Sequence, residues 1–196
     1  MKILIVTPLY PPDIAGSAPY VKELATRLRS IHSVTILAYN HIPESIEQVR
    51  IIPVEKSDSL YVRLFRFTKI LIHEMSETDI VFVENGPSVE IPLFLACLVR
   101  KRKVVFHLGD ETALRHATMS LWYRLCLKLA LISADQVLAH SDVRIVDTDP
   151  DWIQSVRPNA RPEILPFQDF PKEAFLSYER SWQDHIRTLG NIFRKS

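Results

Sequence analysis

The side chains able to act on a ligand gather in three short stretches. Gly16 and Ser17 sit in a small-residue turn between an apolar run and a helical pattern. A turn of that kind at a helix N-terminus presents backbone N–H groups to an anion, so Gly16 and Ser17 are the cofactor-side candidates. Glu84, Asn85 and Gly86 end a second apolar run, and His107, Gly109, Asp110 and Glu111 end a third. An imidazole and carboxylates at one rim suit general acid–base work or hydrogen bonding to a substrate. On that reading His107 and Asp110 are the catalytic candidates, and Glu84, Asn85, Gly86, Gly109 and Glu111 are the substrate-binding ones. The same residue types also cap helices. Asp110 precedes a helical stretch, and capping is placed first for it. A strand histidine that only packs is as good a reading of His107.

The elements that must position these groups alternate in period. Residues 2–7 form a nearly continuous apolar run, too short for a helix and right for a strand buried on both faces. Pro8, Pro11 and Pro12 stop it. From Pro19, Val21, Leu24, Ala25 and Leu28 fall at helical spacing, with Ser17 as the N-cap. Further strands are predicted at residues 33–38, 49–54, 79–83, 104–108, 134–139 and 163–166. Pro53 marks the third as an edge strand or a strand end. Helices are predicted at residues 59–75, 88–100 and 120–132, and the polar stretch 144–158 reads as a short helix. In the helix at 59–75 the stripe Leu60, Leu64, Phe67, Leu71 and Met75 reads as core-facing, with Arg63, Arg66 and Lys69 on a solvated side. The competing reading is a surface helix that meets anionic lipid. Six to seven strands alternating with helices predict an α/β fold, a single Rossmann-like, doubly wound parallel sheet. Ligands of such sheets bind beyond the carboxyl ends of the strands, where all three stretches lie.

Composition excludes several classes. The 196 residues are 47% hydrophobic and 24% charged, with a formal net charge of +1, which gives no electrostatic case for nucleic acid. Two cysteines, Cys97 and Cys126, sit in apolar helical patterns and read as buried thiols in a reducing compartment, not as a disulfide or a metal site. The first apolar run breaks at Pro8, unlike a secretory leader, and residues 91–99 are about half the length a span needs. A cytoplasmic protein is predicted, with the inner face of the membrane as the place of any peripheral contact. There is no G-x-G-x-x-G and no G-K-S/T, which argues against an unrelated dinucleotide- or nucleotide-binding domain.

The opening strand ending T-P-L-Y-P-P, the small-residue loop and the helix V-K-E-L-A-T-R-L resemble the start of family 4 glycosyltransferases, two-domain enzymes of the GT-B type. The loop departs from that pattern, with the single Gly16 where the family has two adjacent glycines. The run DIVFVENGPSV through KVVFHLGDE is similar to the family's fourth strand, helix and fifth strand, which often ends in H-G-D. Gly109 and Asp110 match, while His107 stands one residue early and Leu108 takes the family position. ADQVLAHS resembles the sixth strand. Glu47 and Glu55 match the spacing of the family's donor-site pair, but they flank a strand in the first half of the chain and read as coincidence.

The resemblance implies an N-terminal, acceptor-side domain over residues 1–170, with the donor-binding domain absent. Residues 171–196 then form one amphipathic helix whose stripe, Phe175, Tyr178, Trp182, Ile186, Leu189 and Phe193, packs back on the domain. The implied function is binding of a sugar or lipid-linked acceptor, with retaining transfer from a nucleotide sugar and no essential metal or other cofactor. The partners implied are a donor-domain protein or a second copy of the chain, drawn together by apolar rim groups such as Leu9, Tyr10 and Ile14. Alone, the chain is expected to transfer little. The alternative is a non-catalytic scaffold or regulatory module derived from such an enzyme.

Overall fold

The computed structural model describes residues 1–14, 17–109, 115–117, 119–139, 156–158, 162 and 172–194. Seven parallel strands form one sheet: β1 (Lys2–Thr7), β2 (Ser33–Tyr39), β3 (Val49–Val54), β4 (Ile80–Glu84), β5 (Lys103–Leu108), β6 (Gln136–Ala139) and β7 (Val156–Pro158). Their spatial order is β3-β2-β1-β4-β5-β6-β7. The helices between them are α1 (Ala18–Leu28), α2 (Leu60–Ser76), α3 (Pro87–Val99) and α4 (Leu121–Ile132), followed by α5 (Lys172–Arg194). The expected α/β parallel architecture is present. β1, β4 and β5 are central, so apolar runs without alternation bury both faces. Pro53 lies in β3, an edge strand, where a missing N–H costs no ladder bond on the open side.

Two cores form, one on each face of the sheet. α2, α3 and α4 pack side by side over Leu4, Val6, Val81, Val83, Val104 and Phe106. α1 and α5 cover Ile3, Ile5, Ile36, Ile80, Phe82 and Val105. α3 contains Pro92, which cannot donate to the Ser88 carbonyl four residues back. The Tyr39 hydroxyl, from β2, donates to that carbonyl instead at 2.9 Å.

α5 packs back on the sheet through wholly buried Trp182 and Leu189, with Ile192 and Phe193. Arg27 of α1 lies 5.1 Å over the Trp182 ring and forms a forked pair with Glu179 at 2.7 and 3.0 Å. Lys103 caps the far end of α5, donating to the carbonyls of Ile192 and Phe193.

Several expectations need correction. Val156–Pro158 is a strand, not part of a short helix, and three residues were too few to show a period. The expected strand at 163–166 and the domain boundary at 170 lie outside the described residues. The α2 stripe holds for Phe67, Leu71 and Met75 but fails at its start, where Leu60 is exposed and Leu64 half-buried. In α5, Phe175 is exposed and the stripe begins at half-buried Tyr178. Tyr10 is not an exposed rim group. It is wholly buried, its hydroxyl donating to the Glu44 carbonyl at 3.0 Å, whereas Ile14 is exposed.

Candidate functional site

At the carboxyl ends of β4 and β5, Glu84 and His107 stand directly opposite each other in the parallel register. Both side chains turn to the α1–α5 face, and both are fully buried. Nδ1 of His107 lies 2.7 Å from Oε1 of Glu84. A carboxylate accepts, so Nδ1–H donates, and in the neutral ring Nε2 then keeps the lone pair. Oε2 of Glu84 and Nε2 of His107 have no hydrogen-bond partner among the described residues. Two orphaned polar atoms on one buried carboxylate–imidazole pair are unusual in a protein interior.

The backbone around the pair is stitched together. The Asn85 N–H donates to the His107 carbonyl at 3.0 Å, and the Gly109 N–H donates to Asn85 Oδ1 at 3.0 Å. Gly109 lies against the pair so closely that a Cβ there would meet His107 Cε1 at 2.8 Å, Nδ1 at 2.9 Å and Glu84 Oε2 at 3.0 Å. Gly86 is constrained in the same way by Pro8, whose Cγ would lie 2.8 Å from a Cβ. The Gly86 N–H donates to Glu90 Oε1 at 3.1 Å.

The His107 ring is sandwiched by aromatic neighbours, with Tyr20 at 5.4 Å and Phe82 at 5.7 Å between centroids. Tyr20 in turn stacks on Trp182, and its hydroxyl lies 2.8 Å from Nε2 of His185 on α5. The aromatic stack therefore runs from β5 through α1 to α5.

The structure thus brings together Glu84, Asn85, Gly86, His107 and Gly109. Gly16, Asp110 and Glu111 lie outside the described residues. Ser17 is at the N-cap position of α1, but its hydroxyl makes no cap. It is buried, and its hydroxyl lies 3.1 Å from the Thr7 hydroxyl. The one-residue displacement of His107 has its expected effect: Leu108 faces the α2–α4 core and His107 the α1–α5 side.

Three nearby groups were missed. Glu90, in the first turn of α3, is buried, and burial pushes its carboxyl up to about 8. The signal was a lone acid in an otherwise apolar helix. Tyr20 and His185 were hidden in helical patterns, although His185 falls three residues after Trp182 on the same face. Cys97 and Cys126 are free, and burial raises both thiols to about 11. Among the described residues no group of three His, Cys, Asp or Glu side chains could hold a metal ion. No described helix is long and apolar enough to cross a membrane.

An open depression of about 860 Å³ lies at the opposite, amino-terminal end of the strands, lined by Lys2, Arg29, His32, Glu77, Asp79 and Arg102 among others. It is remote from the orphaned pair and from the end of the sheet where such folds bind ligands.

No protein-family model and no curated protein matches the chain. Solved structures do. Anabaena Alr3699/HepE, solved in complex with UDP and glucose, matches with a TM-score of 0.59 at 15% identity, over 94% of this chain and 51% of that one. A UDP-N-acetylglucosamine 2-epimerase matches with a TM-score of 0.55 at 14% identity, over 87% and 53%. Arabidopsis thaliana UGT89C1, complexed with UDP, matches with a TM-score of 0.52 at 12% identity, over 91% and 54%. The chain spans about half the length of these proteins. At such identities the likeness is one of fold, a Rossmann-like α/β domain.

Proposed function

We propose that the chain is the acceptor-binding half of a family 4-like GT-B glycosyltransferase, working with a donor-binding half. The observation that carries this reading is the Glu84–His107 pair, with its two orphaned atoms at the carboxyl rim of the central strands. An acceptor hydroxyl placed between them donates its proton towards His107 Nε2 and accepts no competing bond from the protein. Glu84 holds the imidazole in the tautomer that leaves Nε2 basic and stabilises the imidazolium once formed. The pair is fully buried, so a ligand reaches it only when the cover over it moves. Gly109 lies against the pair with no room there for a side chain. The fold shared with UDP-bound proteins of twice the length supports a nucleotide-sugar donor for the donor-binding half. The groups that neutralise a leaving diphosphate belong to that half, so this chain alone is slow.

The test uses 15N-labelled protein with methyl glucoside, UDP and UDP-glucose as probes. Shifts at the Asn85 and Gly109 amides with the glucoside, lost in His107→Ala, and none with UDP are expected. Transfer or hydrolysis of UDP-glucose by the chain alone at ordinary enzyme rates, or no response to the glucoside, overturns the reading. A scaffold role is the second reading, favoured by the complete burial of the pair and by the engagement of Ser17 with Thr7. It expects no response to any of the three probes.

A further inference from the structure

The His107 imidazole is covered by Tyr20, in the first turn of α1, whose ring stacks on it. The same Tyr20 ring is held by α5, stacking on Trp182 and meeting His185 edge-on. Tyr20, Trp182 and His107 are wholly buried and His185 is 4% exposed, so the stack closes this side of the Glu84–His107 pair.

α5 is gripped unevenly along its length. Its last turn is fixed: Ile192 and Phe193 are buried, and Lys103 donates to both of their carbonyls. Towards its start, Phe175 and Leu176 are about half exposed. Between the ends the grip is mixed. Trp182 supplies an apolar contact. The Tyr20 hydroxyl, 2.8 Å from His185 Nε2, and the Arg27–Glu179 fork supply polar ones. The fork's side chains are 19% and 30% exposed, so water replaces those bonds when they part. Gly190 lies between Leu189 and the fixed turn. A Cβ there would meet nothing within 4 Å, so packing does not require a glycine. Its effect is to weaken the helix, by about four- to fivefold relative to alanine. The closed arrangement also carries a penalty beneath the stack. Glu84 Oε2 and His107 Nε2 are buried with no hydrogen-bond partner among the described residues. Lifting the stack admits water to both, which offsets part of the lost apolar contact.

We propose that α5 is a lid hinged at Gly190, whose lifting frees Tyr20 and opens the Glu84–His107 pair to ligand. The proposal rests on the acceptor-half reading only for the identity of what enters. The sheet and the α2–α4 core stay in place, so the motion is a local opening, distinct from global unfolding.

The experiment is acylation of the full chain by diethyl pyrocarbonate, with each histidine followed by peptide mass spectrometry. His41, with its side chain 74% exposed, reports the strength of the reagent. His107 and His185 should react slowly and together, at a rate unchanged by urea well below the unfolding transition. Glu179→Ala parts the fork and should speed both by about three- to tenfold. Gly190→Ala stiffens the hinge and should slow both by about four- to fivefold. Circular dichroism checks that each variant folds, and if one does not, the urea independence of the wild type still decides. Labelling of His107 that climbs with urea from the first addition, as global unfolding requires, overturns the proposal. So does a Gly190→Ala protein that is more stable in urea yet labels at the wild-type rate, which would make the glycine an ordinary surface residue. Labelling of His185 without His107 overturns it too, since α5 would then lift while Tyr20 stays. The glucoside response scores the acceptor-half reading separately: a labelled His107 with no such response keeps the lid and fails that reading.

Discussion

Replacing Glu90 by Gln tests the electrostatics of the rim through stability. Glu90 is 3% exposed, and its one assigned bond is from the Gly86 N–H at 3.1 Å. Burial lifts its carboxyl from 4.5 to about 8, so the folded protein holds a proton that the unfolded chain has released. Between these values the folded state binds more protons, and stability falls as pH rises. At about 1.4 kcal/mol per pH unit, the wild type loses about 4 kcal/mol by pH 8 relative to pH 4. That is a large share of an ordinary domain's total of about 5–15 kcal/mol. Glu90→Gln keeps the acceptor for Gly86 and the neutral state at every pH, so it lacks this loss. The two proteins should nearly coincide in urea unfolding at pH 5, and the variant should be more stable by about 3–4 kcal/mol at pH 8. In thermal melts of a chain this size the same gap is about 6–16 °C. A difference between the two that is the same at pH 5 and pH 8 would refute the assignment of a neutral buried acid.

Three further outcomes follow from the same geometry. Trp182→Ala should cost about 3–5 kcal/mol in urea unfolding, since a wholly buried ring that stacks on Tyr20 and lies under Arg27 leaves a cavity between α1 and α5. Gly109→Ala should displace the His107 ring, because the added carbon falls 2.8 Å from Cε1; a shifted His107 imidazole resonance and loss of the glucoside response check it. Cys97 and Cys126 should react with a disulfide reagent at pH 8 far more slowly in the folded protein than in urea, since burial holds both thiols at about 11.

The sheet was legible because its strands obey a single demand. β1, β4 and β5 must bury both faces, and unbroken Val, Ile and Leu runs are what that demand looks like in a sequence. β7 was illegible because three residues carry no period, and its pairing with β6 is tertiary. The rim was half legible. Glu84 and His107 could be named from their places at strand ends, but that they face each other depends on register, which only pairing sets. Their partners Tyr20 and His185 were hidden because a helix stripe gives the face of a residue and not its opposite number. The start of α2 misled for a related reason: Leu60 continues the apolar stripe in sequence, yet it is exposed in the fold.

The link between Tyr20 and His185 spans 165 residues of chain. At a synthesis rate of about 5–20 residues per second, roughly 8–33 seconds separate the appearance of the two at the ribosome. Throughout that interval Ile3, Ile5, Ile80 and Phe82 have α1 but not α5 to cover them. The nascent polypeptide is then a half-shielded slab, with an oily patch where Trp182 will later settle. The closing helix therefore arrives last, and until then those apolar side chains stay open to water.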